Sequence, residues 1–273
     1  MRLIERRRPD IVFAPNPSIV LTCLLLALKF VLGYRFATDA HYAGIMATNG
    51  NWIVQKVLDF CNRHADLVIV TNEEHQRYVG SIGGSAVICE DPLPDIQRYA
   101  NGVDEKPKRI FCICSFDVDE PYVELFNAAT ILQAEGYSFY VSGNYKRAGV
   151  VREEWPHVNV LGYVSVQEFY FRLAESQVVV DLTMQENCLL CGAYEAMALT
   201  KPLVTSKTMV LQNYFTGGAV FVHHEPEAIA EGIRKAYSKR SELKQEIEEW
   251  KRDVRAKNRD RIEKIRGLMN LGT

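Results

Sequence analysis

Two groups of side chains have the types and spacing to do chemistry. Asp39-Ala40-His41 sets a carboxylate two residues before an imidazole, so the acid can orient the ring and the pair can hold or move a proton. Further along, Glu186, Asn187 and Glu195 bracket a turn that carries Cys191 and Gly192. Acceptor side chains there adjoin the unpaired amides of a helix start, which suits hydroxyl or phosphate oxygens. Asp117-Val118-Asp119 and Cys188-Leu189-Leu190-Cys191 invite a metal or redox reading. The acidic tripeptide is common by chance, and the cysteine pair has neither a second pair nor a suitably placed histidine. No metal site and no cofactor are expected.

The elements that must position these residues alternate strand and helix. Ile11 to Ala14 is a short apolar run closed by Pro15-Asn16-Pro17, and the Ser18–Leu32 helix follows. Tyr34 to Thr38 leads into Asp39 and His41, the helix Asn51–His64 has apolar positions at helical spacing, and Asp66 to Thr71 is a continuous apolar strand of the kind covered on both faces. Pro92, Pro94, Gly102 and Pro107 punctuate a polar linker, after which the pattern restarts. Strands are expected at Arg109–Cys114, Ser138–Ser142, Val158–Leu161, Val178–Leu182, Leu203–Thr205 and Val220–Val222, with Ser165-Val166-Gln167-Glu168 opening a helix at capping-box spacing. Glu120-Pro121 reads as another helix start, and a charged helical tail runs to Met269. The expected fold is α/β with two facing Rossmann-like domains, 1–100 and 107–240, and C-terminal helices over 241–273. In such folds ligands sit at strand carboxyl ends, which adds Ser115 to Glu120, Gly143, Asn144, Gly162 and the segment from Thr183 to Glu195 to the candidates.

Composition narrows the partners. The 32 lysines and arginines nearly balance 34 acids, so no global basic field draws nucleic acid. Seven scattered cysteines fit reduced thiols in a cytoplasm better than a disulfide framework. Arg2, Arg6, Arg7 and Arg8 precede the apolar stretch Ile19–Leu32. That stretch is too short to span a bilayer and reads as a buried helix, with a peripheral contact at the inner membrane face as the second reading. His64 and His75 read as ordinary helix residues, and His223-His224 as surface loop.

Glu195-Ala-Met-Ala followed by Lys201-Pro-Leu-Val resembles the donor-site signature of the GT-B-fold group 1 glycosyltransferases, the retaining family four. The family's first acidic position falls on Asn187, with Glu186 one place away, and Gly143-Asn144 and Gly162-Tyr163-Val164 occur in the family's order. The resemblance covers 107–273 as a donor domain and implies that the C-terminal helices over 241–273 cross back to the first domain. It implies transfer of a sugar from a nucleotide-sugar donor to a hydroxyl of a saccharide or lipid-linked acceptor, in polysaccharide or glycoconjugate biosynthesis, without a metal. Glu195 would hold the ribose, Asn187 or Glu186 and the Cys191-Gly192 amides the sugar and phosphate, and His41 and Asp39 would act at the reacting centre.

Two departures qualify that expectation. Relatives place cations after the first donor-domain strand, whereas Ser115 to Pro121 has none; Lys146, Arg147 or Lys207 must supply the charge, or helix termini must do the work. The first domain also resembles only the later part of its counterpart, so an exposed sheet edge is expected that a partner chain would cover. A non-catalytic nucleotide-sugar-binding subunit and a sugar-nucleotide epimerase or hydrolase of the same fold are the alternatives.

Overall fold

The Ser18 hydroxyl accepts the Leu21 amide and Gly33 closes the same helix in the left-handed conformation, so polar side chain and glycine delimit the first apolar helix as their chemistry dictates. In the computed structural model, which describes residues 8–16, 18–47 and 50–270, this logic repeats along the chain. Arg2, Arg6, Arg7 and Pro17 lie outside the described residues. The chain forms two compact units, one through Pro92 together with the residues from Arg255, the other Leu93–Val254.

The first unit has four parallel strands in the order β1 (Ile11–Asn16), β2 (Arg35–Ala40), β3 (Leu67–Val70) and β4 (Ala86–Ile88). Helices α1 (Ile19–Leu32), α2 (Tyr42–Ile45), α3 (Trp52–His64) and α4 (Glu73–Ser81) connect them. Strand β1 runs through Pro15, opposite Asp39, instead of turning after Ala14. Among the described residues β1 pairs with β2 alone, and an edge strand tolerates a residue with no N–H to give. The α1 and α3 side of the sheet buries Leu25, Leu26, Phe36, Cys61 and Val68. The other side packs Ala37, Leu67 and Val87 on Ile265 and Met269. Ile265 comes from the last helix, α10 (Arg240–Leu268), and Met269 directly follows it; Arg261 of that helix pairs with the buried Glu90, and its Leu268 carbonyl accepts from Arg35 at 2.8 Å.

The second unit has six parallel strands: β5 (Arg109–Ile113), β6 (Ser138–Ser142), β7 (Val158–Gly162), β8 (Val178–Asp181), β9 (Leu203–Ser206) and β10 (Ala219–Val222). Their order is β10-β9-β8-β5-β6-β7, so the direction of winding reverses between β5 and β8, the doubly wound Rossmann arrangement. Helices α5 (Tyr122–Gln133), α6 (Val166–Glu175), α7 (Cys191–Ala198), α8 (Met209–Tyr214) and α9 (Pro226–Ser238) flank the sheet. One apolar cluster, around Phe126, Phe139 and Val180, fills one face, and another around Phe111, Met197 and Phe215 fills the other. Leu93, Ile96, Tyr99 and Val103 pack into the latter. The punctuated stretch after Pro92 therefore belongs to this unit, because its apolar side chains find a core there.

His75 shows what the first unit's core demands of a polar residue. Its Nδ1 lies 3.2 Å from Asn72 Nδ2, its Nε2 has no hydrogen-bond partner, and burial pulls its pKa down to about 4. The folded chain thus holds His75 neutral while the unfolded chain protonates it near pH 6.5. Its contribution is fully present above that pH and is lost as pH falls towards 4. Denaturant unfolding at pH 7 and pH 5 should show the wild type losing about 2 kcal/mol more than His75→Gln.

Candidate functional site

The carboxyl ends of β5, β6, β7 and β8 enclose a pocket of about 350 Å³ at the point where the winding of the second sheet reverses. Its walls are largely backbone because glycine stands where chain segments meet. Gly143 has φ +122°, and a Cβ there would overlap the Cys114 carbonyl. A Cβ on Gly192 would lie 2.6 Å from Asp181 Oδ2 and 2.8 Å from Ile113. Gly192 lies in the first turn of α7, so the amides of that turn face the region near Asp181, and the Ala193 amide bonds the carboxyl group.

Two acids control the floor. Phe116 takes the left-handed conformation at φ +61°, curling the segment after β5 into a concave set of amides of the kind that binds anions. Glu120 fills that set with its own carboxylate: it accepts the Ser115 amide at 2.8 Å, the Asp117 amide at 3.2 Å and the Ser115 hydroxyl at 3.0 Å. Asp181 is buried with its Oδ2 lacking a hydrogen-bond partner. Burial first, then the Glu120 and Glu195 carboxylates, push its pKa well above the usual carboxylate range. Among the described residues lining the pocket there is no lysine or arginine.

Of the residues selected from sequence, Ser115, Gly143, Asn144, Gly162, Tyr163, Cys191 and Gly192 come together in this lining. Tyr163 is 85% exposed at the rim. Glu195 lies further along α7, outside the lining, half-buried, with the Tyr170 hydroxyl donating to it at 2.9 Å. Burial raises the Glu195 pKa, and burial with the Glu195 carboxylate pushes Tyr170 up to about 12. Asn187 is half-buried and Glu186 exposed on the segment before α7, while Lys146 is exposed after β6. None of these three is in the lining. Asp117 pairs with Arg147 at 3.5 Å and Asp119 accepts from Thr183 at 3.4 Å. No group of three or more metal-ligating side chains occurs among the described residues. His224, read as a loop residue, approaches Ser206 Oγ at 2.9 Å, and that oxygen accepts the Thr183 amide.

Sequence reasoning missed Asp181 and Tyr170, and it placed Glu120 at a strand end without finding its role. Asp181 left a signal, an acid ending the apolar run Val178-Val179-Val180. Glu120 was masked by its own plausibility as a helix-start acid, and nothing in the sequence joins Tyr170 to Glu195.

The Asp39–His41 pair belongs to the first unit. Asp39 is the penultimate residue of β2, and His41 Nε2 lies 4.0 Å from it and 3.8 Å from Asp91. Burial raises the Asp39 pKa, Asp91 adds to the rise and His41 opposes it. The turn after His41 is pinned at the Gly44 carbonyl, which accepts from Asn16 at 3.3 Å and Asn62 at 3.0 Å.

A family model described as glycosyl transferase-like matches residues 123–266, more than half of the chain. No curated protein matches the sequence. Solved structures do. Anabaena HepE in complex with UDP and glucose superposes with a TM-score of 0.74 at 13% identity, over 97% of this chain and 80% of that one. Sucrose-phosphate synthase from Thermosynechococcus elongatus gives 0.73 at 16%, over 93% and 71%. The UDP-forming trehalose-phosphate synthase of Burkholderia xenovorans gives 0.70 at 13%, over 96% and 74%. The shared architecture is the GT-B fold.

The buried Asp181 has a consequence for stability. Its raised pKa means that the folded chain keeps a proton that the unfolded chain releases, so its contribution fades as pH rises above the normal carboxylate range. Asp181→Asn should therefore unfold at higher denaturant than the wild type at pH 7.5, and the gap should narrow towards pH 4.5.

Proposed function

The chain belongs to the glycosyl transferase-like family and is a glycosyltransferase, and from that premise we propose how it binds its donor and where it reacts. The pocket on β5 to β8 takes the nucleoside diphosphate of a nucleotide-sugar. One observation carries this reading: backbone amides and a helix start converge at the winding reversal behind glycines that hold the space open. Gly162 and Tyr163 meet the base, with the exposed ring of Tyr163 stacking on it, and Glu195 accepts from the ribose hydroxyls. Ser115, Gly143, Asn144 and the Cys191-Gly192 amides serve the diphosphate, which needs fixed donors as negative charge grows on the leaving oxygen. Lys146 supplies the cation that the lining lacks, and Asn187 or Glu186 holds the sugar.

In the reaction the anomeric carbon–phosphate oxygen bond breaks and a bond to the acceptor oxygen forms. The electron pair leaves with the diphosphate, and the acceptor proton passes to it or to Asp39, with His41 orienting the hydroxyl. Retention of configuration and independence of metal are part of this proposal. UDP is the first nucleotide to test because solved structures of this fold contain it. The acceptor is a saccharide or lipid-linked hydroxyl. All seven cysteines are free thiols, which supports a reducing compartment such as the cytoplasm. Among the described residues β1 pairs on one side only, which supports a partner chain along that edge.

A thermal-shift panel of UDP, GDP, ADP, CMP and their sugars tests the donor site. A nucleotide at 100 times its dissociation constant adds about 2.7 kcal/mol, and Glu195→Gln should weaken that same nucleotide about tenfold or more while melting normally. A cooperative melt that no nucleotide moves contradicts the reading. Asp39→Asn and His41→Ala should keep the nucleotide shift and lower kcat by about a hundredfold or more, read by release of nucleoside diphosphate with acceptor present; unchanged turnover removes both residues from the mechanism.

A further inference from the structure

Helices α1 and α3 lie side by side on one face of the first sheet, with Cys23 Sγ 3.5 Å from Cys61 Sγ and Lys29 Nζ 3.0 Å from the His64 carbonyl. Their inner residues are core. A helix whose other face meets water should be polar there, and these are not. On α1, Val20 is 81% and Val31 78% exposed, with Leu24 between them on the same stripe. On α3, Trp52 is 66% exposed, with Ile53 and Phe60 also open to solvent. The neighbouring α4 shows the ordinary pattern, with Glu73, Glu74 and Arg77 outermost. No helix among the described residues is long and apolar enough to cross a membrane.

Charge decides what covers this face. The titratable side chains of α1 and α3 are Lys29, Lys56, Arg63, His64, Cys23 and Cys61, and one acid, Asp59. Asp59 is spoken for by Gln55 and the Tyr78 hydroxyl, each at 2.8 Å, and Lys29 pairs inward with Asp66 at 2.9 Å. Lys56 and Arg63 remain exposed among the apolar side chains, Lys56 with its ammonium 4.8 Å over the Trp52 ring. Protein interfaces are depleted in lysine, and a second copy of this face would oppose cation to cation. An anionic bilayer answers both features: aliphatic side chains enter the acyl boundary, the indole sits at the headgroups, and the cations meet lipid phosphate.

We propose that the outer face of α1 and α3 docks the chain on an anionic lipid surface. The starts of both helices follow the carboxyl ends of β1 and β2, the edge that carries Asp39, so docking sets that edge beside lipid and suits a lipid-linked acceptor. That consequence rests on the function proposed above; the docking itself does not.

The test is flotation of the intact chain with phosphatidylcholine vesicles, with and without phosphatidylglycerol. The chain should float with the anionic vesicles and be released by salt. The double variant Lys56→Glu/Arg63→Glu should partition about tenfold less or weaker still, as should Leu24→Ser/Val31→Ser, with wild-type circular dichroism in both. No flotation with anionic vesicles, or flotation that neither variant reduces, overturns the proposal. So does a dimer in solution that Leu24→Ser/Val31→Ser dissociates, since a second copy then covers the face. Flotation without any nucleotide-induced melting shift keeps the docking and discards the donor site.

Discussion

The second unit is organised by a steric limit: three chain segments meet at the carboxyl edge of its sheet more closely than any side chain allows. The segment after β6 presses on the Cys114 carbonyl through Gly143, and the start of α7 presses on Asp181 and Ile113 through Gly192. A methyl group at either place would force strand and helix apart, at a cost of about 1–3 kcal/mol or more in a packed interior. Because the approach is so close, backbone amides line the pocket, and because winding reverses there, the helices that follow β5 and β8 diverge and leave it open. The pocket is a consequence of topology and glycine placement together.

Electrostatics then defines what such a pocket can hold. Its concave amides are of the kind that binds anions, and the Glu120 carboxylate accepts two of them at hydrogen-bond distance. Asp181, desolvated beside Glu120 and Glu195, is pushed towards its neutral form, so the floor carries less negative charge than its two carboxyl groups suggest. The diphosphate of the proposed donor would compete with Glu120 for these amides. The same rule governs the first unit in a different way: burial raises the Asp39 pKa while His41 draws it back and Asp91 adds to the rise.

Much of the fold was legible because it follows from local patterns. Continuous apolar runs such as Leu67–Val70 and Val178–Val180 became central parallel strands, and Ser165 caps its helix through the Glu168 amide at 3.1 Å, as its spacing implied. The capping box is only half made, since the Glu168 carboxylate pairs with Arg172 at 2.7 Å. What escaped were long-range and competing contacts. Pro15 stayed in a strand because the strand is an edge, and the stretch after Pro92 joined the second unit because distant core residues received its side chains. Of the candidate site, the glycines and strand ends could be read from turn chemistry. The self-binding of Glu120 could not, because it depends on a left-handed Phe116, a conformation sequence propensity disfavours.

The central claim is that the carboxyl edge of β5 to β8 is a nucleotide site built of backbone. Hydrogen–deuterium exchange of the intact chain, with and without saturating nucleoside diphosphate, tests it most directly because it reads those amides themselves. The account predicts slowed exchange confined to the segments around 114–120, 142–145, 162–164 and 190–195. Slowed exchange elsewhere with these segments unchanged, or none with any nucleotide, would contradict it.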